Sequence, residues 1–218
     1  MLFKDRTEGG QKLGQKLKAY SNREDVMVIG LPRGGVPVAF EVAKTLNVSL
    51  DVFLVRKLGV PGNEEFAMGA IASGGVRILN QQIIKSRHIS TEAIACIAAQ
   101  EQRELERRED AYRGNCPPLN LSDRTIILVD DGLATGATMN AAAIAIRQQA
   151  PKQIIAAVPV SAPEVCNKFQ VKVDEIICAE TPKPFKSVGF YYRNFSQTTD
   201  DRVQDLLQIA AEGKTATQ

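Results

Sequence analysis

One histidine, four cysteines with no C-x-x-C pair and no long apolar run set the first limits on this 218-residue chain. His88 with Cys96, Cys116, Cys166 and Cys178 supplies a structural zinc site or a Cys/His catalytic pair poorly, because both need ligands or partners in close, defined spacing. His88 follows Ser86 and Arg87 in a polar stretch and reads as a surface residue. Cys96 falls in an alanine-rich helical pattern and Cys178 in an apolar strand, so both read as buried free thiols. No segment approaches the roughly 20 apolar residues that span a bilayer. Residues 1–10 carry Lys4, Asp5, Arg6 and Glu8, where a signal peptide would be apolar. The expectation is a cytoplasmic protein with no membrane partner. A net charge of +2 gives no ground for a nucleic-acid partner. No G-x-G-x-x-G follows a strand and no G-x-x-x-x-G-K-[ST] is present, which argues against a Rossmann dinucleotide enzyme and a P-loop triphosphatase.

With 44% hydrophobic and 24% charged residues the composition is that of an ordinary globular protein, and the length suits one domain over residues 1–218. The chain is organised around residues 125–139, TIILVDDGLATGATM. Residues 125–129 are a continuous, β-branched apolar run, the pattern of a strand buried on both faces of a parallel sheet. Asp130 and Asp131 end it, a loop with Gly132 and Gly136 follows, and a helical stretch covers 140–149. Ligands of open α/β sheets sit at the carboxyl ends of strands, and a helix N-terminus presents free N–H groups and a positive dipole end to an anion. Two adjacent carboxylates repel one another and are costly to bury unpaired, so vicinal hydroxyls or a hydrated divalent cation should hold them. A phosphorylated ribose meets both demands.

The stretch 126–139 resembles the 5-phosphoribosyl-1-pyrophosphate (PRPP) binding motif of the type I phosphoribosyltransferases. The resemblance implies that Asp130 and Asp131 contact the ribose hydroxyls and, through water, magnesium. It puts Ala134, Thr135, Gly136, Ala137 and Thr138 around the 5-phosphate. A second strand, turn and helix unit appears at 26–46, where Leu31-Pro32-Arg33-Gly34-Gly35 forms the turn. Backbone N–H groups there, with the Arg33 guanidinium, can cradle another anion. The resemblance assigns Arg33, Gly34 and Gly35 to pyrophosphate, in a loop that in this family often holds a non-proline cis peptide. It also implies a flexible catalytic loop, matched to 58–65 (LGVPGNEE), with Lys57 and Glu64 as its functional candidates; each also reads as a solvated loop charge. Residues 66–72 and 76–79 complete a hairpin excursion there.

The remaining periodicity predicts helices over 9–20, 80–87, 91–112, 163–169 and 200–211, and strands over 26–30, 50–55, 153–160 and 173–179. With 125–129 this makes a mainly parallel five-stranded α/β sheet flanked by helices. A small hood is expected from 180–198 and the N-terminal segment. Residues 101–113 alternate charge at i,i+4 spacing, an exposed helix that is a candidate for pairing in a homodimer. Phe185, Phe190, Tyr191, Tyr192 and Phe195 crowd one stretch, either as a core cap or as a stacking platform for a flat base, with Phe185 and Tyr191 the candidates to stack. The resemblance implies transfer of the 5-phosphoribosyl group from PRPP to a small nitrogenous base, with Mg2+ as cofactor and pyrophosphate as product. Hypoxanthine/guanine members carry an Asp where this chain has Ala134, so the acceptor stays open. A regulatory protein that binds PRPP or a nucleotide without turnover is the alternative: both readings need the Asp-Asp loop, but only the enzyme needs a closing loop and a base pocket.

Overall fold

The computed structural model describes residues 2–114, 116–169 and 173–215. In chain order the elements are α1 (Arg6–Lys16), β1 (Val26–Gly30), α2 (Gly35–Leu46), β2 (Ser49–Val52), β3 (Val55–Val60), β4 (Asn63–Ala72), β5 (Val76–Leu79), α3 (Gln81–Ser86), α4 (Thr91–Arg113), β6 (Thr125–Val129), α5 (Ala137–Arg147), β7 (Gln153–Val160), α6 (Pro163–Phe169), β8 (Glu175–Glu180) and α7 (Asp200–Thr215). Five strands form a parallel sheet in the order β2-β1-β6-β7-β8, and β3, β4 and β5 form a separate antiparallel sheet. Among the described residues no helix is long and apolar enough to cross a membrane.

The apolar runs form strands because both faces of the sheet are covered. Ile126 and Leu128 of β6 join Met139, Ala142 and Ile146 of α5 on one face, while Ile127 and Val129 join Leu13 of α1, Leu17 at its C-cap, and Val38 and Val42 of α2 on the other. Alternate residues of a strand point to opposite faces, so a run with no polar position serves two cores at once. A third cluster sets Leu58 and Met68 of the antiparallel sheet against Ile94 and Leu105 of α4 and Val203 and Leu206 of α7.

The sheet order places β1 between β2 and β6. The chain leaves β1 in one direction to β2 and later returns on its other side to β6, so the loops after β1 and β6 flank a topological switch point, where α/β sheets open a crevice. The register pairs Gly30 with Val129, and the two loops therefore start level with one another.

Three expectations differ from the structure. The strand expected over 50–55 is split: parallel pairing with β1 stops at Val52, and the Leu54 N–H turns to the Ser73 hydroxyl (3.0 Å) before Val55 opens the antiparallel sheet. Cys178 is no free thiol but is bonded to Cys166, tying β8 to α6. Cys96 is exposed, because its position on α4 lies off the apolar face formed by Ile94, Ala98 and Leu105.

Candidate functional site

The loop after β1 is shaped by short-range geometry. The Pro32–Arg33 peptide bond is cis. The Gly35 N–H returns to the Leu31 carbonyl (3.0 Å) and starts α2. Both glycines are required by what lies against them. A Cβ on Gly34 would stand 2.1 Å from Asp131 Oδ2, and one on Gly35 would stand 2.8 Å from the Val129 carbonyl and 2.9 Å from Asp130 Cα. Real Cβ atoms do not approach so closely, so only glycine lets this turn rest on the acidic pair. Arg33 leans toward Asp200 at the start of α7 (3.7 Å), and Asp200 also accepts a hydrogen bond from the Tyr112 hydroxyl of α4. Burial and the nearby Asp200 charge push the Tyr112 hydroxyl up to about 12, so it stays a donor at neutral pH.

Asp130 and Asp131 end β6 at the switch point, and each has one carboxylate oxygen held by the protein. Asp130 Oδ1 accepts the Asp131 backbone N–H (2.8 Å). Asp131 Oδ2 accepts from Arg6 Nε and Nη2, both at 2.9 Å. Among the described residues nothing binds Asp130 Oδ2 or Asp131 Oδ1. The Tyr192 hydroxyl donates to the Asp131 carbonyl (2.6 Å) and is pushed well up by burial and by the Asp131 charge. Burial, then the neighbouring Asp131 charge, drives the Asp130 carboxyl well above the usual carboxylate range. Burial also raises Asp131, and the Arg6 guanidinium offsets part of that rise. Two free oxygens on adjacent buried carboxyls are suited to hydroxyl donors or, when ionised, to a cation. No group of three or more His, Cys, Asp or Glu capable of holding a metal occurs among the described residues. The pair therefore fits magnesium only in the manner typical of that ion, which keeps most of its waters and takes one or two carboxylates with the phosphates of its ligand.

The loop 132–138 is anchored at Leu133, which is buried and bridges to Ser161; its N–H donates to the Val160 carbonyl (2.9 Å). Gly136 adopts φ +72° and caps α5, and its carbonyl accepts the Asn140 N–H at 2.8 Å. A Cβ there would meet the Phe169 ring at 3.1 Å. Ala134, Thr135, Ala137 and Thr138 face solvent around the N-terminus of α5, where the Ala137 N–H donates to the Thr135 hydroxyl (3.4 Å) and the positive end of the helix dipole suits an anion.

The structure brings Lys57 to this loop: Lys57, Ala137 and Thr138 line one cavity of about 620 Å³ between the antiparallel sheet and α5. Glu64 does not join them. It is exposed at the tip of the β3–β4 hairpin and shares with Lys57 and Gln100 a second cavity of about 300 Å³ against α4. Tyr191 is buried, with its hydroxyl donating to the Pro184 carbonyl (2.9 Å) and accepting the Lys186 N–H (3.2 Å). Phe185 is only half-buried, with its ring centroid 5.4 Å from that of Tyr191. The same segment reaches the phosphate loop through Val188, whose Cγ1 would lie 2.5 Å from a Cβ on Gly132. Tyr191 also receives the N-terminal segment: the N–H groups of Leu2 and Phe3 donate to its carbonyl at 2.9 and 3.0 Å. Arg6 and Asp200 had no place in the sequence reading of the site, and Tyr192 entered it only as part of the aromatic stretch, not as a partner of Asp131. No local motif marks them, since they reach the two loops from the chain's ends.

The described geometry agrees with the chain's relatives. The phosphoribosyl transferase domain family matches residues 7–192. Two Mycobacterium tuberculosis proteins, from strains CDC 1551 / Oshkosh and H37Rv, each named "Putative phosphoribosyl transferase", are 44% identical over 209 residues, 96% of this chain and 47% of theirs. The chain thus spans about half the length of these curated relatives. TT1426 from Thermus thermophilus shares 40% identity with a TM-score of 0.82, over 95% of this chain and 98% of that one. The AQ2163 protein from Aquifex aeolicus, at 14% identity and a TM-score of 0.51 over 93% and 82% of the two chains, shares the fold alone. Matched over most of its length by the family and by these relatives, the chain belongs to the phosphoribosyl transferase domain family.

Proposed function

We propose that this chain transfers the 5-phosphoribosyl group of PRPP to the ring nitrogen of a small base and releases pyrophosphate. The observation that carries this reading is the contact of the two loops: Gly34 and Gly35 lie against Asp131 and Asp130 so closely that neither tolerates a Cβ. One ligand with an anion at each end and a hydroxyl pair between them matches this surface. The 5-phosphate takes the α5 N-terminus with Thr135, Gly136 and Thr138, and the vicinal hydroxyls donate to Asp130 Oδ2 and Asp131 Oδ1. Pyrophosphate takes the loop of Arg33, Gly34 and Gly35. Magnesium, when bound, neutralises charge on the pyrophosphate and is held through water by the acidic pair.

In the reaction the base nitrogen's lone pair forms the new bond to ribose C1 as the C1–oxygen bond to pyrophosphate breaks, the bonding electrons leaving with pyrophosphate. The protein's part is positioning, charge stabilisation of the leaving group and exclusion of water from an oxocarbenium-like centre. The β3–β4 hairpin, with Lys57 at its base and Glu64 at its tip, is the segment suited to close over the donor. Phe185 stacks on the acceptor, with Tyr191 as the support behind it, in a hood made from 180–198 and the N-terminal segment.

The test is a screen of free bases with PRPP and magnesium that reads out pyrophosphate. Release that depends on one base supports transfer. Tight PRPP binding with no release for any base would favour a regulatory protein instead.

A further inference from the structure

Arg6 is the first residue of α1, and its helix is fixed in place. A Cβ on Gly10 would lie 2.7 Å from the Val38 carbonyl, and one on Gly9 would lie 3.2 Å from both Pro159 and Tyr192, so α1 is pressed onto its neighbours at two successive glycines. From this base the Arg6 guanidinium makes three kinds of contact at once. Nε and Nη2 converge on Asp131 Oδ2, both at 2.9 Å, Nη1 donates to the Ser196 carbonyl at 2.8 Å, and the guanidinium carbon lies 3.9 Å from the centre of the Phe195 ring. Phe195 stacks in turn on Tyr192, with centroids 5.2 Å apart and planes at 22°, and the Tyr192 hydroxyl holds the Asp131 carbonyl. The contacts form a closed ring: Asp131 is gripped at its carboxylate by Arg6 and at its backbone by Tyr192, and both gripping side chains are stacked on Phe195.

We infer that Arg6 is a positioning residue: with Phe195 it fixes Asp131 so that Oδ1 alone faces the crevice, and it thereby sets the affinity for the ribose hydroxyls of the donor. The inference rests on the proposed donor site. Two nitrogens of a rigid fork on one oxygen fix both the rotation of the carboxylate and the choice of oxygen left free. A lysine could supply the charge but neither the fork nor the flat face that lies on Phe195. Arg6, Phe195 and Ser196 lie just outside the 7–192 stretch matched by the family, while Asp131 and Tyr192 lie inside it.

The experiment compares Arg6→Gln, Arg6→Lys, Phe195→Leu and the Arg6→Gln/Phe195→Leu double variant with the wild-type chain. Calorimetric affinities are measured for PRPP with magnesium and for pyrophosphate with magnesium. The expected result for Arg6→Gln is a loss of tenfold or more for PRPP and a clearly smaller loss for magnesium pyrophosphate, which lacks hydroxyls and meets the acidic pair only through the water on magnesium. Arg6→Lys should also lose affinity for PRPP, by a smaller factor. The double variant should bind PRPP no worse than Arg6→Gln alone, because both changes act through one carboxylate. PRPP affinity within twofold of wild type in Arg6→Gln overturns the inference, as does equal loss for both ligands or full additivity with Phe195→Leu. If Arg6→Gln does not fold, Arg6→Lys and Phe195→Leu decide by the same PRPP-to-pyrophosphate comparison. A wild-type chain that fails to bind PRPP overturns the donor site itself, an outcome distinct from loss confined to the variants.

Discussion

The acidic pair carries a cost in the free protein, and the cost is unequal. Among the described residues no cation is in contact with Asp130, whereas Asp131 is paired with Arg6. Because burial and Asp131 raise the Asp130 pKa above its unfolded value, its contribution to stability is greatest below the ordinary carboxyl range and is lost as pH rises through the raised value. Ionising Asp130 therefore works against the fold. Asp130→Asn keeps the oxygen that accepts the Asp131 N–H and removes the charge. Its expected effect is a melting temperature higher by about 2–4 °C at pH 7, corresponding to roughly 1 kcal/mol in a chain of this size, with the gain shrinking toward pH 4. Scanning calorimetry across that pH range checks it, and a lower melting temperature at pH 7 would show that the charge is compensated within the fold. The pair itself was legible in the sequence because two carboxylates at a strand end need an external partner. Arg6 and Tyr192 were not legible, since they reach Asp131 across 125 and 61 residues, and sequence periodicity records no contact of that range.

At the scale of elements, buried strands and amphipathic helices were readable wherever one pattern persisted. Residues 26–30, 125–129 and 153–160 form strands as expected, because each lies inside the sheet with apolar neighbours on both faces. The run 50–55 misled because its apolar residues serve two different sheets in turn, and no change of composition marks the point at which pairing partners switch. The β3–β4 hairpin shows irregular register at Leu58, Gly59 and Val60, which weakens its ladder just where the family implies a moving loop. Hydrogen exchange over 58–65 should slow when PRPP, magnesium and an acceptor are all present. Equal exchange with and without them would make the hairpin an ordinary connection.

The aromatic segment permits a second test on this scale. Tyr191 is 5% exposed and holds the Pro184 and Lys186 backbone together, while Phe185 has an open edge. Tyr191→Ala should cost about 3–5 kcal/mol of stability, as loss of a buried aromatic does. Phe185→Ala should weaken acceptor binding by about 1 kcal/mol, the increment of a ring-on-ring contact, and leave PRPP affinity unchanged. Melting curves and acceptor titrations on both variants separate the roles; equal destabilisation with unaltered acceptor affinity would return Phe185 to the core cap.

For the whole molecule, the mainly parallel sheet followed from strands alternating with helices, but the order of its strands did not. The switch point between β1 and β6 arises because β2 lies on one side of β1 and the rest of the sheet on the other. That single feature puts the loops of 31–35 and 130–136, about a hundred residues apart in the chain, side by side in contact at the carboxyl edge of the sheet. In the proposed function, PRPP binds at this edge of the sheet through the acidic pair. Titration of the wild-type chain with PRPP and magnesium by calorimetry, beside the Asp130→Asn/Asp131→Asn double variant, tests it most directly. The expected result is saturable, magnesium-dependent binding to the wild type and a loss of tenfold or more in the double variant, with the variant still melting cooperatively. Unchanged binding in a folded double variant would contradict it.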